Sequence, residues 1–171
     1  EKAGILKPRR PAISGVADTE ARAVIERIAS ERRCPLNQLG RDVRFEYRPG
    51  RIDENAPRVA IRTRRRTWPT MDLALLGAHQ AANAAVVVAA VERLQATGLT
   101  IRDDHVADGL AKVQWPARLE VLGKKPFVVL DCAHNTASIQ AMLDTLAESF
   151  PLGRRLLIFA ASADKDIPGM L

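Results

Sequence analysis

An α/β fold is what this sequence predicts, and three observations carry the prediction. Short alternating or wholly apolar runs stand beside longer stretches with helical periodicity. The run Phe127-Val128-Val129-Leu130 stops at Asp131, and an amphipathic pattern follows at once. A further apolar run, "RRLLIFAAS" at 154–162, comes after that pattern. Buried apolar strands separated by a helix indicate a βαβ unit with a parallel pair.

Along the chain, residues 11–16 ("PAISGV") read as a short strand, and Asp18 as a helix N-cap. Ala21, Val24, Ile25, Ile28 and Ala29 then recur on one helical face, and Pro35 closes the segment. "VRFEYR" at 43–48 and "RVAIRTRRR" from 58 alternate as strands, with "RPGRIDENAP" as a hairpin loop between them. Leu73, Leu75 and Leu76 suggest a short strand that Gly77 ends. From Ala78 to about Thr97 the pattern is helical and apolar nearly all round, which implies a helix buried on most sides. Gln80 and Asn83 are polar on that helix and would need partners. A shorter helix follows at about 102–113. "WPARLEVL" gives a turn and a strand, "GKK" a tight hairpin-like link, and 126–131 a fully apolar strand. A helix over 135–150 presents Ile139, Met142, Leu143, Leu146, Ala147 and Phe150 on one face. The change of character at 113–117 predicts a domain boundary there.

The 171 residues suit one domain or pieces of two. Hydrophobic residues make up 47% and aromatics 4%, so the core is built from aliphatic side chains. No apolar run is long enough to span a bilayer, and no charged region precedes an apolar one at the start. With two cysteines, Cys34 and Cys132, the chain reads as a soluble, cytoplasmic, reduced protein. It starts at Glu1 and stops just past a strand pattern, which reads as an excised piece of a longer protein. The net charge of +6 is lopsided. Residues 1–66 hold 17 basic and 9 acidic side chains, a net of +8; the remainder has 9 and 11, a net of −2. A basic half serves nucleic acid, phosphates or acidic substrates, or is a solvated surface. Arg58, Arg62 and Arg64 on one strand face raise the nucleic-acid reading, but interleaved aromatics are scarce.

The chemistry gathers at "FVVLDCAHNTASIQAML", 127–143. In an open α/β sheet, ligands bind beyond the carboxyl ends of strands. Asp131 stands at such an end, and His134 and Asn135 at the mouth of the next helix, where anions are favoured. The carboxylate can accept from a ribose hydroxyl, and the histidine can donate to a phosphate. The competing reading is that Asp131 or Asn135 simply caps the helix. Neither a GxGxxG nor a GxxxxGK[ST] motif is present, and no His/Cys/carboxylate group has zinc spacing.

Five segments in order carry a resemblance: "EKAGILK" at 1–7, "GAHQAANAAVVVAAVERL" at 77–94, "WPARLEVL" at 115–122, "VVLDCAHNTAS" at 128–138 and "SADKDIPGML" at 162–171. Together they resemble the second half of the folylpolyglutamate synthase/dihydrofolate synthase family of the Mur ligase superfamily. The resemblance implies the tail of a P-loop-type central ATPase domain at 1–113. It implies the first part of a Rossmann-like C-terminal Mur ligase domain at 114–171. It further implies an ATP-dependent amide ligase that activates a folate or dihydropteroate carboxylate as an acyl phosphate, which the amine of L-glutamate attacks. By resemblance, Lys2 matches a lysine that is carbamylated, turning a cation into an oxygen ligand suited to magnesium, and it is expected to be a metal-binding and catalytic residue. Asn83 matches an adenine-contacting asparagine. Arg118 matches an arginine reaching the ATP phosphates, and Asp131 an acid at the nucleotide ribose. His134 matches the histidine of a D-x-A-H-N signature, expected at the nucleotide and in catalysis. Lys165 and Asp166 fall in a DKD loop at the rim.

The chain departs from the family at Ala117 and Cys132, where glycine is usual, and at Thr136, where proline is usual. The expected partners are ATP, magnesium, L-glutamate and a folate or dihydropteroate in the whole enzyme, which is expected to be monomeric and to use neither membrane nor nucleic acid. The piece by itself is expected to be inactive, because no phosphate-cradling loop occurs in it. The rival readings are another Mur-type amino-acid ligase for cell-wall precursors, a non-enzymatic nucleic-acid-binding module built on Arg62–Arg66, and a structural domain with no ligand.

Overall fold

The computed structural model describes residues 2–171, and the Lys2 side chain lies outside the described residues. After a 3-10 turn at Lys2–Ile5, β1 (Ala12–Ser14) pairs in parallel with β2 (Leu36–Gln38). They are joined by α1 (Thr19–Glu31), which Asp18 caps by accepting from the Ala21 amide at 2.8 Å. Ala29, Ile25 and Ile28 turn inward with Leu6 and Cys34, whereas Val24 is left exposed.

β3 (Val43–Arg48), β4 (Arg58–Thr63) and β5 (Met71–Asp72) form an antiparallel sheet in that order. Alternation decides which side is buried: Val43, Val59 and Ile61 face inward, and the arginines of β3 and β4 face solvent. The strand expected at 73–76 lies instead at Met71–Asp72. Leu73 is buried beyond it, its amide bonded to the Pro57 carbonyl. α2 (Ala78–Gln95) and α3 (Asp103–Lys112) cover the inner face. α2 presents Ala81, Ala84, Ala85, Val88 and Ala89, small side chains that let the helix lie close on the sheet. Within this core Glu92 is 4% exposed. Its Oε1 accepts from Thr63 Oγ1 at 2.9 Å and Trp68 Nε1 at 2.8 Å, with Arg66 stacked 3.8 Å from the Trp68 ring centroid. A buried carboxylate needs such partners.

The second unit holds β6 (Glu120–Lys124) and β7 (Phe127–Leu130), antiparallel as the short link predicts, then α4 (Thr136–Ser149) and α5 (Ile167–Met170). The parallel partner expected at 154–162 is absent. Those residues form no strand, and Leu156 and Ile158 are 91% and 92% exposed. A wholly apolar strand needs neighbours and cover on both faces, and among the described residues nothing supplies them. β7 is likewise half-exposed rather than buried, with Val128 and Leu130 open. On α4, Ile139, Thr145 and Ser149 are buried and Phe150 meets Phe127 edge-on at 5.8 Å. Leu143 and Ala147, expected on the inner face, lie outside.

The loop after β3 meets β6 and the end of α4: the Ile52 amide donates to the Ser149 carbonyl at 2.9 Å, and Lys124 pairs with Asp53. The start of α2 is held to β3, the Gly77 amide donating to the Tyr47 hydroxyl at 3.0 Å, and lies against α4. Gly77 has φ 101°, and a Cβ there would stand 2.4 Å from Thr145 Oγ1 and 2.7 Å from His79 Cε1. Only glycine permits this approach.

Candidate nucleotide site

The turn leaving β7 is tied to the turn entering β6. Asp131 Oδ2 accepts from the Leu119 amide at 2.8 Å, and Oδ1 from the Ala133 amide at 2.7 Å. The Cys132 amide donates to the Ala117 carbonyl at 3.0 Å, and Arg118 Nη1 approaches Cys132 Sγ at 2.6 Å. Asp131 is therefore first a bracket between two loops. Each carboxylate oxygen keeps acceptor capacity beyond one amide, so the bracket leaves room for a hydroxyl donor.

The tight geometry of the entering turn favours glycine at 117 and makes the alanine there costly. Its φ is 55°, and that of Leu119 is 47°, a left-handed region costly for any residue but glycine. Cys132, a second departure, supplies the thiol that meets Arg118.

His134 is exposed. Its Nδ1 lies 3.1 Å from the Cys132 carbonyl, and its amide donates to Ser138 Oγ at 3.0 Å. A carbonyl only accepts, so Nδ1 is the donor in this contact, and Nε2 has no partner among the described residues. Asn135 takes the capping role weighed against a ligand role: its side chain accepts from the Ser138 amide at 2.9 Å, and Ser138 Oγ accepts from the Asn135 amide at 3.1 Å. α5 lies against the same helix start, since a Cβ on Gly169 would stand 3.0 Å from Thr136 Oγ1. In the loop before it Lys165 pairs with Asp164, whose carboxyl is held at about 2 by Ser162 and Lys165, and Asp166 caps α5 through the Gly169 amide at 3.1 Å.

Asn83 corrects an expectation. It is exposed on α2 rather than a core amide, and among the described residues its side chain bonds only Gln80 Oε1, at 3.1 Å. A helix packed on one face against the sheet leaves the other face free, so a polar residue there needs no buried partner. Lys2, expected as a metal ligand and catalytic residue, has its side chain outside the described residues. No group of three or more His, Cys, Asp or Glu able to hold a metal occurs among the described residues.

Sequence reasoning passed over His79. It stands in the first turn of α2, half-buried beside Thr145, in a cleft of about 330 Å³ that Asp144 and Glu148 also line. Burial pushes its pKa down; the Asp131 carboxylate opposes this and the Arg118 guanidinium adds to it. His79 thus feels both charges of the strand-end turn from the other unit. Its signal in the sequence was its place two residues after an obligatory glycine. A second cleft, about 370 Å³ between β5 and α3, holds Asp72, Asp103, Asp104 and Asp108. Each of these acids is already paired with a cation: Arg58, Arg66, Arg102 and Lys112.

Residues 117–170 match the Mur ligase, glutamate ligase domain. A dihydrofolate synthase/folylpolyglutamate synthase of Bacillus subtilis is 30% identical over 172 residues, covering all of this chain and 40% of that protein. A diaminopimelate-adding UDP-N-acetylmuramoyl ligase of Corynebacterium glutamicum matches a shorter stretch, 36% over 98 residues, or 56% of this chain and 18% of that one. Among solved structures, Escherichia coli FolC in complex with DHPP and ADP superposes with a TM-score of 0.82 at 28% identity, covering 99% of this chain and 37% of that one. The chain thus spans about two fifths of the length of the relatives it matches end to end. In sequence and in fold, this chain is similar to part of a folylpolyglutamate synthase/dihydrofolate synthase, with the glutamate ligase domain of the Mur ligases matched over its C-terminal third.

Proposed function

We propose that this chain forms part of an ATP-dependent ligase that joins L-glutamate to a folate or dihydropteroate carboxylate. Residues 1–113 would be the end of a central ATP-binding domain, and 114–171 the start of the glutamate ligase domain. The observation that carries this reading is the strand-end turn. Asp131 locks two loops together so that Arg118, Cys132 and His134 share one end of the β6–β7 pair, facing the start of α2.

The residues fit a nucleotide. Arg118 has no carboxylate partner among the described residues, and a guanidinium suits bidentate contact with phosphate. The Asp131 carboxylate retains lone pairs for a ribose hydroxyl. Asn83, exposed on the facing helix, has an amide that can both give and accept at an adenine edge. His134 Nε2 is free. Bound ATP supplies the phosphoryl group that activates the substrate carboxylate; the part of these side chains is to hold, orient and neutralise charge. Magnesium would be held by oxygen ligands outside the described residues, Lys2 among them if carbamylated.

The test is nucleotide binding by the 171-residue chain, read with a fluorescent ADP analogue. Arg118→Ala should weaken binding about 10- to 150-fold, a charge-assisted contact of about 1.5–3 kcal/mol, while the melting temperature stays within a degree or two. Binding unchanged by that substitution would remove Arg118 from the site. In the protein that carries this chain, dihydropteroate and tetrahydrofolate, each offered with ATP and glutamate, would assign the acceptor. A diaminopimelate-type acceptor being used instead would favour the cell-wall reading that the Corynebacterium match keeps in view.

A further inference from the structure

The arginines that made the sequence look nucleic-acid-like separate into two groups. Arg64 pairs with the buried Asp42 at 2.6 Å, Arg65 Nη1 donates to the Glu92 carbonyl at 2.9 Å, and Arg66 pairs with Asp103 at 2.6 Å. These three serve the fold. Arg62 does not. It sits on the outward face of β4 directly opposite Arg44 of β3, and four positions along, Arg48 faces Arg58. Like charges directly opposite on an antiparallel pair destabilise it. Asp72 relieves Arg58 at 3.1 Å, but Arg44, Arg48 and Arg62 have no acid within salt-bridge distance among the described residues. Between the arginine pairs stand Glu46 and, across from it, Ala60. All four arginines and Glu46 are exposed.

β3 is also the edge of its sheet, since the strand order is β3-β4-β5; Val43 at its start is bridged to Leu39 and takes the Gly40 amide on its carbonyl at 2.7 Å, so the open edge runs from Arg44 to Arg48. An edge presents unpaired amides and carbonyls that template an added strand. We propose that this edge is a docking surface for an extended acidic segment of another polypeptide, added as a strand beside β3. In that geometry the backbone gives the affinity and alternate side chains give the selectivity. Arg44 and Arg48 are four residues apart, about 13–14 Å along a strand, so the occupant carries acids four residues apart on the shared face. Glu46 lies between them and repels an acid at the intervening face position, so that position is lysine or neutral. The pattern is acid–x–lysine–x–acid. The same carboxylate disfavours a continuous polyanion such as nucleic acid, and the aromatic neighbours Phe45 and Tyr47 lie on the inner side of the strand, against the core. The proposal is independent of the ligase reading.

Fluorescence anisotropy of the 171-residue chain tests it with three labelled probes at two salt concentrations: a short β-branched peptide of the acid–x–lysine–x–acid pattern, an all-acidic peptide of equal length, and a single-stranded oligonucleotide. The patterned peptide should bind best. Arg44→Gln/Arg48→Gln should weaken it about five- to thirty-fold, the loss of two exposed ion pairs. Glu46→Lys should transfer the preference to the all-acidic peptide. All three positions are exposed, so the variants should stay folded, and Arg44→Gln/Arg48→Gln, which removes the facing like charges, should melt no lower than the wild type. No saturable binding of the patterned peptide, equal or tighter binding of the oligonucleotide, or a preference that Glu46→Lys leaves unchanged would each overturn the proposal.

Discussion

Replacing Gly77 with alanine tests how the two units are joined. Gly77 caps α2 with φ 101° and ψ 148°, a region that is open to glycine and costs other residues about 1–3 kcal/mol. The added Cβ would also sit 2.4 Å from Thr145 Oγ1 and 2.7 Å from His79 Cε1, both inside any real contact distance. Overpacking of this kind costs about 1–3 kcal/mol. Together the two effects predict a loss of about 4 kcal/mol, or a fall in melting temperature of about 8–16 °C for a chain of this size. Thermal unfolding followed by circular dichroism measures it. Thr145→Ala in the same chain removes one clash but neither the backbone cost nor the His79 contact, so it should recover only part of the loss. A cost below about 1 kcal/mol, or complete rescue by Thr145→Ala, would refute the claim that α2 and α4 approach this closely over a strained cap.

Three further outcomes follow from the same geometry. Ala117→Gly should stabilise the chain by about 1 kcal/mol, because φ 55° penalises a Cβ; a lower urea midpoint for the variant would contradict that. His79, its folded pKa lowered by burial, binds a proton more readily when unfolded. Stability should therefore rise with pH as the solution passes from the folded value up through about 6.5 and level off above it. His79→Gln should flatten that slope in urea titrations between pH 5.5 and 7.5. Glu92→Ala leaves the Trp68 indole and the Thr63 hydroxyl without their acceptor in the core and should cost about 3 kcal/mol in the same assay.

Much of the first unit was legible because its periods are clean. Alternation in 43–48 and 58–63, with one side apolar, fixes which face is buried, and the alanine-rich stripe of α2 fits the sheet it covers. The second unit was harder for a physical reason. "RRLLIFAAS" is apolar enough for a central strand, but strand formation depends on neighbours, and composition does not say whether they are present; in this structure the segment stays exposed. Asn83 was misplaced for a related reason, since an apolar helix leaves its outer face unspecified. The strand-end turn was legible as a place, from an acid ending an apolar run. Its internal wiring was not. That Asp131 spends a lone pair on each of two amides, and that Asn135 caps rather than binds, depends on backbone directions that spacing leaves open. His79 reached the site through packing against α4, whose Thr145 lies more than fifty positions further along the chain.

In the proposed nucleotide site the turn at 117–135 and the start of α2 act together. An ADP titration of the isotopically labelled chain, 18.7 kDa, followed by amide and arginine side-chain NMR tests this directly. Such a site gives saturable shifts confined to Arg118, Asp131 to His134, and the first two turns of α2 including His79 and Asn83. Shifts centred on the β3–β4 arginine face, or none at millimolar ADP, would contradict it.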